Sequence, residues 1–347
     1  MKIYERGIKM KNYDLIGKSY KANLHCHSTI SDGHYTPEEL KKQYMAEGYS
    51  IIAYTDHNVL IDHSDLCEEG FLALNGYELD VSEVAAPGKD GRTAHMCFIA
   101  KKHDNLTQVC YKKDSYIWGN SVAFIPQLKY DRDDYERHYS HEGVTDMMKK
   151  GKEGGFFVTY NHPTWSLESY PEYSGYEGMD AMEIYNTGCE KIGFNEYNCH
   201  CYDDLLKQGK RIYCIAADDN HTRGASDLGQ PGCDCFGGWV CIFADKLEYE
   251  TITKALEDGK FYASTGPEII EFKIEDGYAC VKTSPAHRIN YITGSRRTEF
   301  VAAHYGEFVT EARFQIRPRD YYFRIDVIND HGEHANTNAI FTDTIFE

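Results

Sequence analysis

Short apolar runs typical of β-strands recur through the first two thirds of this chain, and each is followed at once by histidine, carboxylate or amide side chains. The histidines and acids are His25 and His27 after residues 22–24, His57 after 50–54, Glu78 after 71–77, His162 after 156–160, and Asp219 and His221 after 211–217. Because side chains two residues apart share one face of a strand, His25 and His27 can bind one ion. A single histidine in such a position is more often solvated than ligating, but five such runs are hard to obtain by chance. Since the carboxyl ends of parallel strands meet on one face of a barrel, the pattern predicts a polynuclear metal site there.

Helical segments between these runs indicate an α/β fold. Thr36, Pro37 and Glu39 have the spacing of a helix start with a capping box, and Gly48 is expected to end that helix. Further helices are predicted near residues 144–152, 195–208 and 249–258, among strands at 156–160, 181–185, 212–216 and 239–244. The alternation of strand, ligand and helix is typical of a parallel sheet covered by helices.

The pattern changes after residues 261–267. The residues that follow contain runs such as 321–328, in which apolar and polar side chains alternate, and turn sequences such as 275–277. Alternation with a period of two predicts a small antiparallel β-sandwich. We therefore divide the chain into a lead-in segment at 1–17, a barrel at 18–266 and a β-sandwich domain at 267–347. The β-sandwich domain is expected to supply no metal ligand and to be dispensable for metal binding.

Residues 101–142 interrupt the alternation with a polar stretch that is rich in tyrosine and contains Trp118. Long loops on a barrel are usually functional or disordered, and the aromatic content argues against disorder. The segment is interpreted as a partial lid over the metal site, with an ordinary packed surface excursion as the alternative.

The composition excludes several classes of function. The chain of 347 residues has 55 acidic and 37 basic side chains, a formal charge of −18, which disfavours stable binding of duplex nucleic acid. The sequence contains no run of about 18 apolar residues, so no membrane span is predicted. The 12 cysteines are scattered and follow no secretory leader, so a cytoplasmic location is expected. Cys199-His200-Cys201 and Cys233-Asp234-Cys235 could hold zinc, but partly buried thiols are favoured because neither has paired C-x-x-C spacing.

The motifs along residues 18–266 follow a definite order. They are His25-x-His27, Ser31-Asp32-Gly33, Thr36 to Leu40, Thr55-Asp56-His57-Asn58, Glu78, His95, Asn161-His162-Pro163 and Asp219-x-His221. Their order and spacing resemble those of the PHP (polymerase and histidinol phosphatase) family. The resemblance implies a distorted, TIM-like barrel of seven β/α units that holds two or three divalent ions. The terminal β region is similar to an extension found on one branch of that family.

The resemblance also implies how the ligands divide among the ions. His25, His27, Glu78 and Asp219 would hold the first ion, Glu78 would bridge to a second ion completed by His95 and His162, and Asp32, His57 and His221 would hold the third. Relatives can carry histidine where this chain has Asp32, which is an alternative ligand. Mixed imidazole and carboxylate ligands suit zinc, manganese or iron, whereas calcium prefers oxygen alone. Glu78, Asp219 and His221 are the residues predicted to take part in catalysis.

The activity implied by the resemblance is that of a phosphoesterase acting on a small phosphorylated metabolite or nucleotide through a metal-activated hydroxide. One alternative keeps the metals and hydrolyses a carboxylic ester or carbamate. Another is a non-catalytic regulatory module, which the complete set of nine ligands disfavours. Basic side chains near the site would favour phosphate, whereas an apolar aromatic cup would favour an ester.

Residues that contact the substrate are harder to predict than the ligands. Arg223, Arg132 and Lys129 are candidates for phosphate contacts because they are the basic residues nearest in sequence to the last ligand strand or the lid. His138, His141 and Trp165 are comparable candidates. Asp56 is expected to orient an imidazole or to cap a helix, and Glu183 and Asn186 to face the metal site. The native metal, the leaving group and the oligomeric state are left open.

Overall fold

The structure is a computed structural model, and it describes residues 13–224 and 227–346. Residues 1–12 of the predicted lead-in segment lie outside the described residues. Leu15, near the end of that segment, is buried, and its backbone pairs with Phe272 through hydrogen bonds of 2.8 and 3.0 Å. The end of the lead-in is therefore part of the folded core.

Six α-helices lie in the part of the chain that the structure describes: α1 (Pro37–Ala46), α2 (His141–Glu153), α3 (Tyr170–Tyr173), α4 (Thr187–Lys191), α5 (Cys199–Lys207) and α6 (Tyr249–Glu257). Short 3₁₀ helices span Ser64–Leu66, Gly119–Gln127, Pro318–Asp320 and Thr342–Thr344. The strands are β1 (Ser19–Asn23), β2 (Ile51–Tyr54), β3 (Leu72–Ser82), β4 (Thr93–Ala100), β5 (Thr107–Gln108), β6 (Lys129–Tyr130), β7 (Phe156–Tyr160), β8 (Ala181–Asn186), β9 (Tyr213–Ala217), β10 (Trp239–Phe243), β11 (Phe261–Ser264), β12 (Ile269–Glu275), β13 (Tyr278–Ala286), β14 (Arg288–Thr293), β15 (Glu299–Ala302), β16 (Val309–Gln315), β17 (Tyr322–Ile328), β18 (His334–Thr337) and β19 (Ile340–Phe341). No described helix is both long and apolar enough to cross a bilayer.

The predicted capping box at the start of α1 is confirmed. The Thr36 hydroxyl accepts a hydrogen bond from the Glu39 backbone N–H at 3.2 Å, and the Glu39 carboxylate accepts one from the Thr36 N–H at 2.9 Å. Leu40 and Tyr44 on this helix are buried against the sheet. Gly48, just past the helix, has a φ of +78°, a conformation that glycine adopts at little cost. The local sequence therefore determines where this helix begins and ends.

Most strands form one large mixed sheet, in the order β15-β14-β17-β18-β11-β10-β1-β2-β3-β4-β7-β8-β9, with β19 paired to β17. The pairs β1/β2, β2/β3, β7/β8 and β8/β9 are parallel, and the ligand-bearing loops follow their carboxyl ends. The pairs β3/β4, β4/β7 and β1/β10 are antiparallel. The α/β class predicted from the sequence is confirmed.

A closed, TIM-like barrel of seven β/α units is not confirmed. Within residues 13–224 and 227–346, β9 and β1 form no ladder, and a single bridge between Cys26 and Asn220 brings their ends together. The physical reason is that β10 pairs with the edge of β1 that β9 would need, while β2 occupies the other edge. In addition, β4 runs antiparallel to β3, so the strands are not repeated parallel β/α units. The sheet is curved enough to gather the strand ends, but hydrogen bonds do not close it.

The C-terminal β region consists of two packed antiparallel layers. The sheet β12-β13-β16 lies against β14 and β17, and Tyr291 stacks on Phe314 with ring centroids 5.3 Å apart. The second layer belongs to the large sheet, because β18 pairs with β11 through Tyr262 and Thr337. The domain boundary predicted at 266/267 therefore falls between strands that share hydrogen bonds within one sheet.

Residues just after β18 also serve the buried backbone of the α/β region. The Asn338 side chain accepts a hydrogen bond from the Cys214 N–H at 3.0 Å and donates to the carbonyl oxygens of Gly259 and Phe261 at 3.2 and 3.0 Å. Buried backbone groups that lose such partners cost free energy of about 1–3 kcal/mol each. These contacts connect the C-terminal region to the stability of the α/β region. That the C-terminal region is dispensable for metal binding stays a prediction.

Candidate metal centre

The predicted ligands lie at the ends of β1, β2, β7 and β9, together with two residues inside the β3/β4 hairpin. Glu78 is on β3, and His95 on β4 is paired with Asp80, so the pleat turns all three side chains toward the same face. The Asp219 N–H donates to the His25 carbonyl at 2.9 Å, which joins the end of β9 to the end of β1. The strand arrangement thus gathers residues almost 200 positions apart in one place.

The first group consists of His25, His27, Glu78 and Asp219, all buried. The two Nε2 atoms of the histidines lie 3.0 Å apart. Asp219 Oδ1 is 3.2 Å from His25 Nε2 and 3.0 Å from His27 Nε2, and the Glu78 oxygens are 3.3 and 3.4 Å from the same nitrogens. These are the four side chains that the resemblance assigned to one ion.

The distances and the buried nitrogens of this centre fit a cation. In a tetrahedral site with ligands at about 2.0 Å, the ligand atoms lie about 3.3 Å from one another, which is close to the separations in the first group. In addition, the Nδ1 atoms of His27 and His57 are buried without a hydrogen-bond partner in the described part of the chain. Such groups cost free energy unless they bind something.

Glu78 also belongs to a second group, in which its neighbours are His57 and His95, whereas His162 forms a group with His25 and Glu183. The Oε1 atom of Glu78 lies 3.2 Å from His95 Nδ1 and 3.3 Å from His162 Nε2, and its Oε2 atom lies 3.2 Å from His57 Nδ1. His162 Nε2 is also 3.7 Å from Asp219 Oδ2. One carboxylate therefore faces imidazoles on several sides, the arrangement expected of a bridging ligand.

The third group is looser and more exposed. Asp32 lies 3.4 Å from His221 Nε2 and 3.8 Å from His57 Nε2. His27, which the sequence assigned to the first ion alone, also belongs to this group, because its Nδ1 is 3.8 Å from Asp32 and its ring stacks on those of His57 and His221 at 4.4 Å. His221 keeps 30% of its side chain exposed, so this group opens to the cavity.

The electrostatics of the centre favour positive charge. Burial opposes the charged form of His25 and His27, yet the carboxylates of Asp219 and Glu78 raise the pKa of both imidazoles well above the ordinary value. For His162, burial is likewise outweighed by Glu78 and Asp219, which raise its pKa to about 9. Burial and the nearby His27 lower the pKa of His57 to about 3. Buried carboxylates that attract protons this strongly also attract metal cations.

Glu183 at the end of β8 supports the first group from behind. Its carboxylate lies 2.7 Å from His25 Nδ1 and accepts the His162 backbone N–H at 3.0 Å and the Asn186 amide at 2.9 Å. Asn186 also donates to Asp219 at 3.1 Å. A proton shared between His25 Nδ1 and Glu183 leaves Nε2 free to face Glu78 and Asp219. Glu183 and Asn186 thus both face the site, as predicted from the sequence.

We predict that Glu183→Gln lowers metal affinity by about 10–100-fold, the usual effect of removing a carboxylate that orients a ligating histidine. Competition with a chromophoric chelator measures this affinity. The matched control is Glu177→Gln, because Glu177 is an exposed glutamate whose ion pair with Lys210 lies at the surface. Equal affinity of the Glu183 variant and the unaltered chain would show that His25 needs no such partner.

Asp56 has a different role from either of those predicted. Its carboxylate accepts hydrogen bonds from the backbone N–H groups of Ser28 and Ser31 at 2.8 and 3.0 Å and from both serine hydroxyls. It orients no imidazole among its described contacts and caps no α-helix. Instead it holds the turn between His27 and Asp32, which sets the distance between these two candidate ligands.

Several residues of the site carry no clear signal in the sequence. Asp234, inside the second C-x-C stretch, accepts the His221 N–H at 2.8 Å and the Thr222 N–H at 3.0 Å. Arg137 is buried and donates to the Asn58 side chain at 2.6 Å and to the Asp80 carbonyl at 3.0 Å. These contacts join residues far apart in sequence, so only the folded chain reveals them. No group of possible ligands in the described residues includes a cysteine.

The lid prediction has partial structural support. Trp118 lines the cavity above the centre, and the Ser121 hydroxyl donates to the His57 and Ile30 carbonyl oxygens at 3.2 Å. Residues 118–121 therefore border the site. His141 does not, since its ring contacts the Pro171 carbonyl at 2.7 Å on the surface.

The three basic candidates for substrate contacts differ in position. Arg223 lines the cavity, with its guanidinium 3.7 Å from Asp32. Arg132 pairs with Asp134 at 2.7 Å on the exposed part of the lid, and Lys129 is exposed on β6. Neither lines the cavity, to which the lid contributes Trp118. Trp165 lines the cavity as well, whereas His138 does not.

The fold and the site together define an α/β protein with a candidate polynuclear metal centre at its strand ends. Residues 23–164 match the model of the PHP domain family. This match covers about two fifths of the chain and agrees with the resemblance that its motifs indicated. Over 93 residues it is 36% identical to a 5'-3' exoribonuclease of Haemophilus influenzae, a stretch that covers 25% of this chain and 32% of that protein. The match thus spans about a third of the relative's length.

Two solved structures are also similar. One is a two-domain protein from Bacteroides vulgatus described as containing a predicted PHP-like metal-dependent phosphoesterase; it is 18% identical, with a TM-score of 0.45 over 96% of this chain and 99% of that chain. The other is an amidohydrolase from Chromobacterium violaceum with bound sulfate, 16% identical, with a TM-score of 0.37 over 61% of this chain and 93% of that chain.

Proposed function

We propose that the protein is a metal-dependent phosphoesterase that acts on a small phosphorylated metabolite or nucleotide and holds two to three divalent ions of zinc, manganese or iron. The observation that carries this proposal is the clustering of nine imidazole and carboxylate side chains, seven of which line one cavity, around Glu78. The PHP domain and the similarity to an exoribonuclease, whose substrate is a phosphoester, support it further.

In this proposal His25, His27, Glu78 and Asp219 hold the first ion, His95 and His162 complete the second with Glu78, and Asp32, His57 and His221 hold the third. When bound, such ions lower the pKa of water and neutralise charge on phosphoryl oxygens. In hydrolysis of a monoester, water adds to phosphorus, the bond from phosphorus to the organic oxygen breaks, and a proton from water passes to that oxygen.

Protein side chains at the mouth of the cavity then have separate tasks. Arg223, exposed to the cavity, donates to the non-bridging phosphoryl oxygens. His221, the most exposed of the predicted imidazole ligands, borders the cavity and acts through the third ion, which it would hold with Asp32 and His57. Glu78 and Asp219 act through the ions that they hold.

One observation favours the second candidate, a carboxylic-ester or carbamate hydrolase. Trp118, Trp165 and Ile192 give the cavity mouth an apolar wall, which suits a neutral ester, and Arg223 is the one basic side chain in the described lining. The phosphoester is preferred because a phosphate dianion interacts with several cations in the ground state and the transition state, whereas a neutral ester uses less of that charge.

We predict that the reconstituted protein hydrolyses an aryl phosphate faster than the aryl acetate with the same leaving group. The protein is loaded with zinc, manganese or iron in turn, its metal content is measured, and both substrates are assayed. Two to three bound ions with faster phosphate hydrolysis are expected. Faster acetate hydrolysis with every metal would favour the second candidate, and bound ions without any hydrolysis would favour a regulatory module.

A further inference from the structure

The cavity above the candidate metal centre has two chemically different walls. Its volume of about 460 Å³ is in the range of pockets that hold whole organic ligands rather than a phosphate alone. Carboxylates and imidazoles form one of these walls. Trp118, Trp165 and Ile192 form the other wall, and Trp118 and Ile192 are 49% and 63% exposed. Large apolar side chains exposed beside a site are typical of ligand-binding surfaces.

Both tryptophans lie directly beside imidazoles of the centre. The Trp118 ring centroid is 5.4 Å from that of His57. The Trp165 centroid is 5.3 Å from that of His95 and 5.0 Å from that of His162, with the rings nearly perpendicular in the second pair. A group attached to a phosphate at the metal centre would therefore meet an indole on either side of the His57 and His95 pair.

Hydrogen bonds fix the backbone that carries Trp165 and the segment that carries Trp118. The Trp165 backbone N–H donates to the buried carboxylate of Glu196, which the Asn198 amide also contacts. On the other side, the Ser121 hydroxyl attaches the segment of Trp118 to the carbonyl oxygen of His57. Preorganised aromatic side chains bind flat groups with a small loss of conformational entropy.

Charge near the mouth limits what else the ligand can carry. Asp80 and Asp234 line the cavity in addition to the candidate ligands, and Arg223 is the one arginine or lysine in the described lining. Additional anionic groups beyond the reacting phosphate would face carboxylates rather than cations. The wall therefore suits a ligand with one phosphoryl group and an uncharged flat portion.

We propose that Trp118 and Trp165 are specificity-determining residues that bind a flat aromatic group attached to the reacting phosphate. This inference rests on the proposed phosphoesterase function and names its substrate class, a monophosphate ester with an aromatic portion. Two sources share this chemistry: an aryl alcohol bonded directly to the phosphate, and a heteroaromatic base joined through a sugar. Aromatic stacking on an indole recognises either.

The test compares 1-naphthyl phosphate, adenosine monophosphate and ethyl phosphate with the metal-loaded protein. The variants are Trp118→Leu and Trp165→Leu, which keep apolar bulk but remove the flat ring, and Trp118→Phe and Trp165→Phe, which keep a ring. In each leucine variant, the ratio of kcat/KM for the preferred aromatic substrate to that for ethyl phosphate is expected to fall about 10-fold, the lower end of what stacking contributes. The phenylalanine variants should recover part of the ratio. The aromatic substrate with the higher kcat/KM ratio, 1-naphthyl phosphate or adenosine monophosphate, identifies which of the two kinds of aromatic group the site binds.

A binding measurement separates this inference from the proposed function. Quenching of tryptophan fluorescence by 1-naphthylphosphonate, which is not hydrolysed, reports contact with the indoles without turnover. Trp239→Phe is the control, because Trp239 lies at the start of β10 beside Lys21 and outside the cavity, and this variant should keep both the ratio and the quenching. If no phosphoester is hydrolysed but quenching depends on Trp118 and Trp165, the proposed function fails and the aromatic site stands. If phosphoesters are hydrolysed but both leucine variants keep the ratio within about twofold, the proposed aromatic site is contradicted and the proposed phosphoesterase function stands.

Discussion

Glu78→Gln is expected to lower phosphoester turnover by at least about 100-fold, the scale of losing a main electrostatic contact at a reaction centre. Glutamine has the size of glutamate but loses the negative charge that faces His25, His57, His95 and His162. Burial by itself would raise the pKa of Glu78, but the surrounding histidines lower it well below its usual range, so the native side chain is a carboxylate. Metal content, measured beside turnover, should fall by at least one ion per chain.

The matched control for Glu78 is Glu168→Gln. Glu168 is also a buried glutamate, but its carboxylate accepts hydrogen bonds from the hydroxyls of Tyr139, Tyr160 and Tyr176 rather than facing imidazoles. That variant should keep its metal content even if the protein becomes less stable. Turnover within a few fold of normal in Glu78→Gln, with full metal content, would mean that the bridge between ions lies elsewhere.

Arg324→Ala is expected to lower the free energy of unfolding by about 3–5 kcal/mol, the usual cost of removing one partner of a buried ion pair. Arg324, on β17, is 2% exposed and contacts both carboxylate oxygens of Asp203 on α5 at 3.0 and 3.1 Å. It also donates to Asn336 at 2.7 Å. Truncation leaves Asp203 partly buried and unpaired at the contact between the C-terminal β region and the α/β region. Urea unfolding followed by circular dichroism measures the change.

A second arginine offers the comparison for Arg324. Arg211 pairs with Asp343 across the same two parts of the chain, but 51% and 65% of these side chains are exposed. Because surface ion pairs contribute about 0–1 kcal/mol, Arg211→Ala should change the unfolding free energy by less than about 1 kcal/mol. Similar losses of unfolding free energy in both variants would show that burial does not make the Arg324 ion pair more stabilising than the exposed one. A small loss in both would show that the contact between the C-terminal β region and the α/β region contributes little to stability.

Local signals in the sequence were sufficient for several features. The capping box of Thr36 and Glu39 depends on residues three positions apart, so it could be predicted without any tertiary contact. The ligand types after the strands are likewise local, and the alternation that leads from His25 to His27 is a property of extended backbone. These residues, and the gathering of strand ends in an α/β sheet, suffice to predict a polynuclear site.

The tertiary structure decided which predicted contacts are made. The sequence could not show that β4 and β10 run antiparallel to their neighbours or that β10 occupies an edge of β1, because strand pairing depends on packing rather than on composition. The predicted TIM-like barrel is therefore not confirmed. Arg132 and Lys129 lie near the site in sequence but on the outer side of the lid, and Asp56 holds a turn instead of an imidazole.

The amino-acid sequence by itself determined the chemistry available to this protein: nine imidazole and carboxylate side chains in or just after apolar strands, an excess of acidic residues and a terminal β region. Only the tertiary structure decided that Glu183 supports His25, that two indoles cover the centre and that Asn338 satisfies the backbone of β9. The physical reason is that residue type and local periodicity are encoded in short stretches of sequence. Contacts between residues more than a hundred positions apart depend instead on how the strands pair and how the loops pack over them.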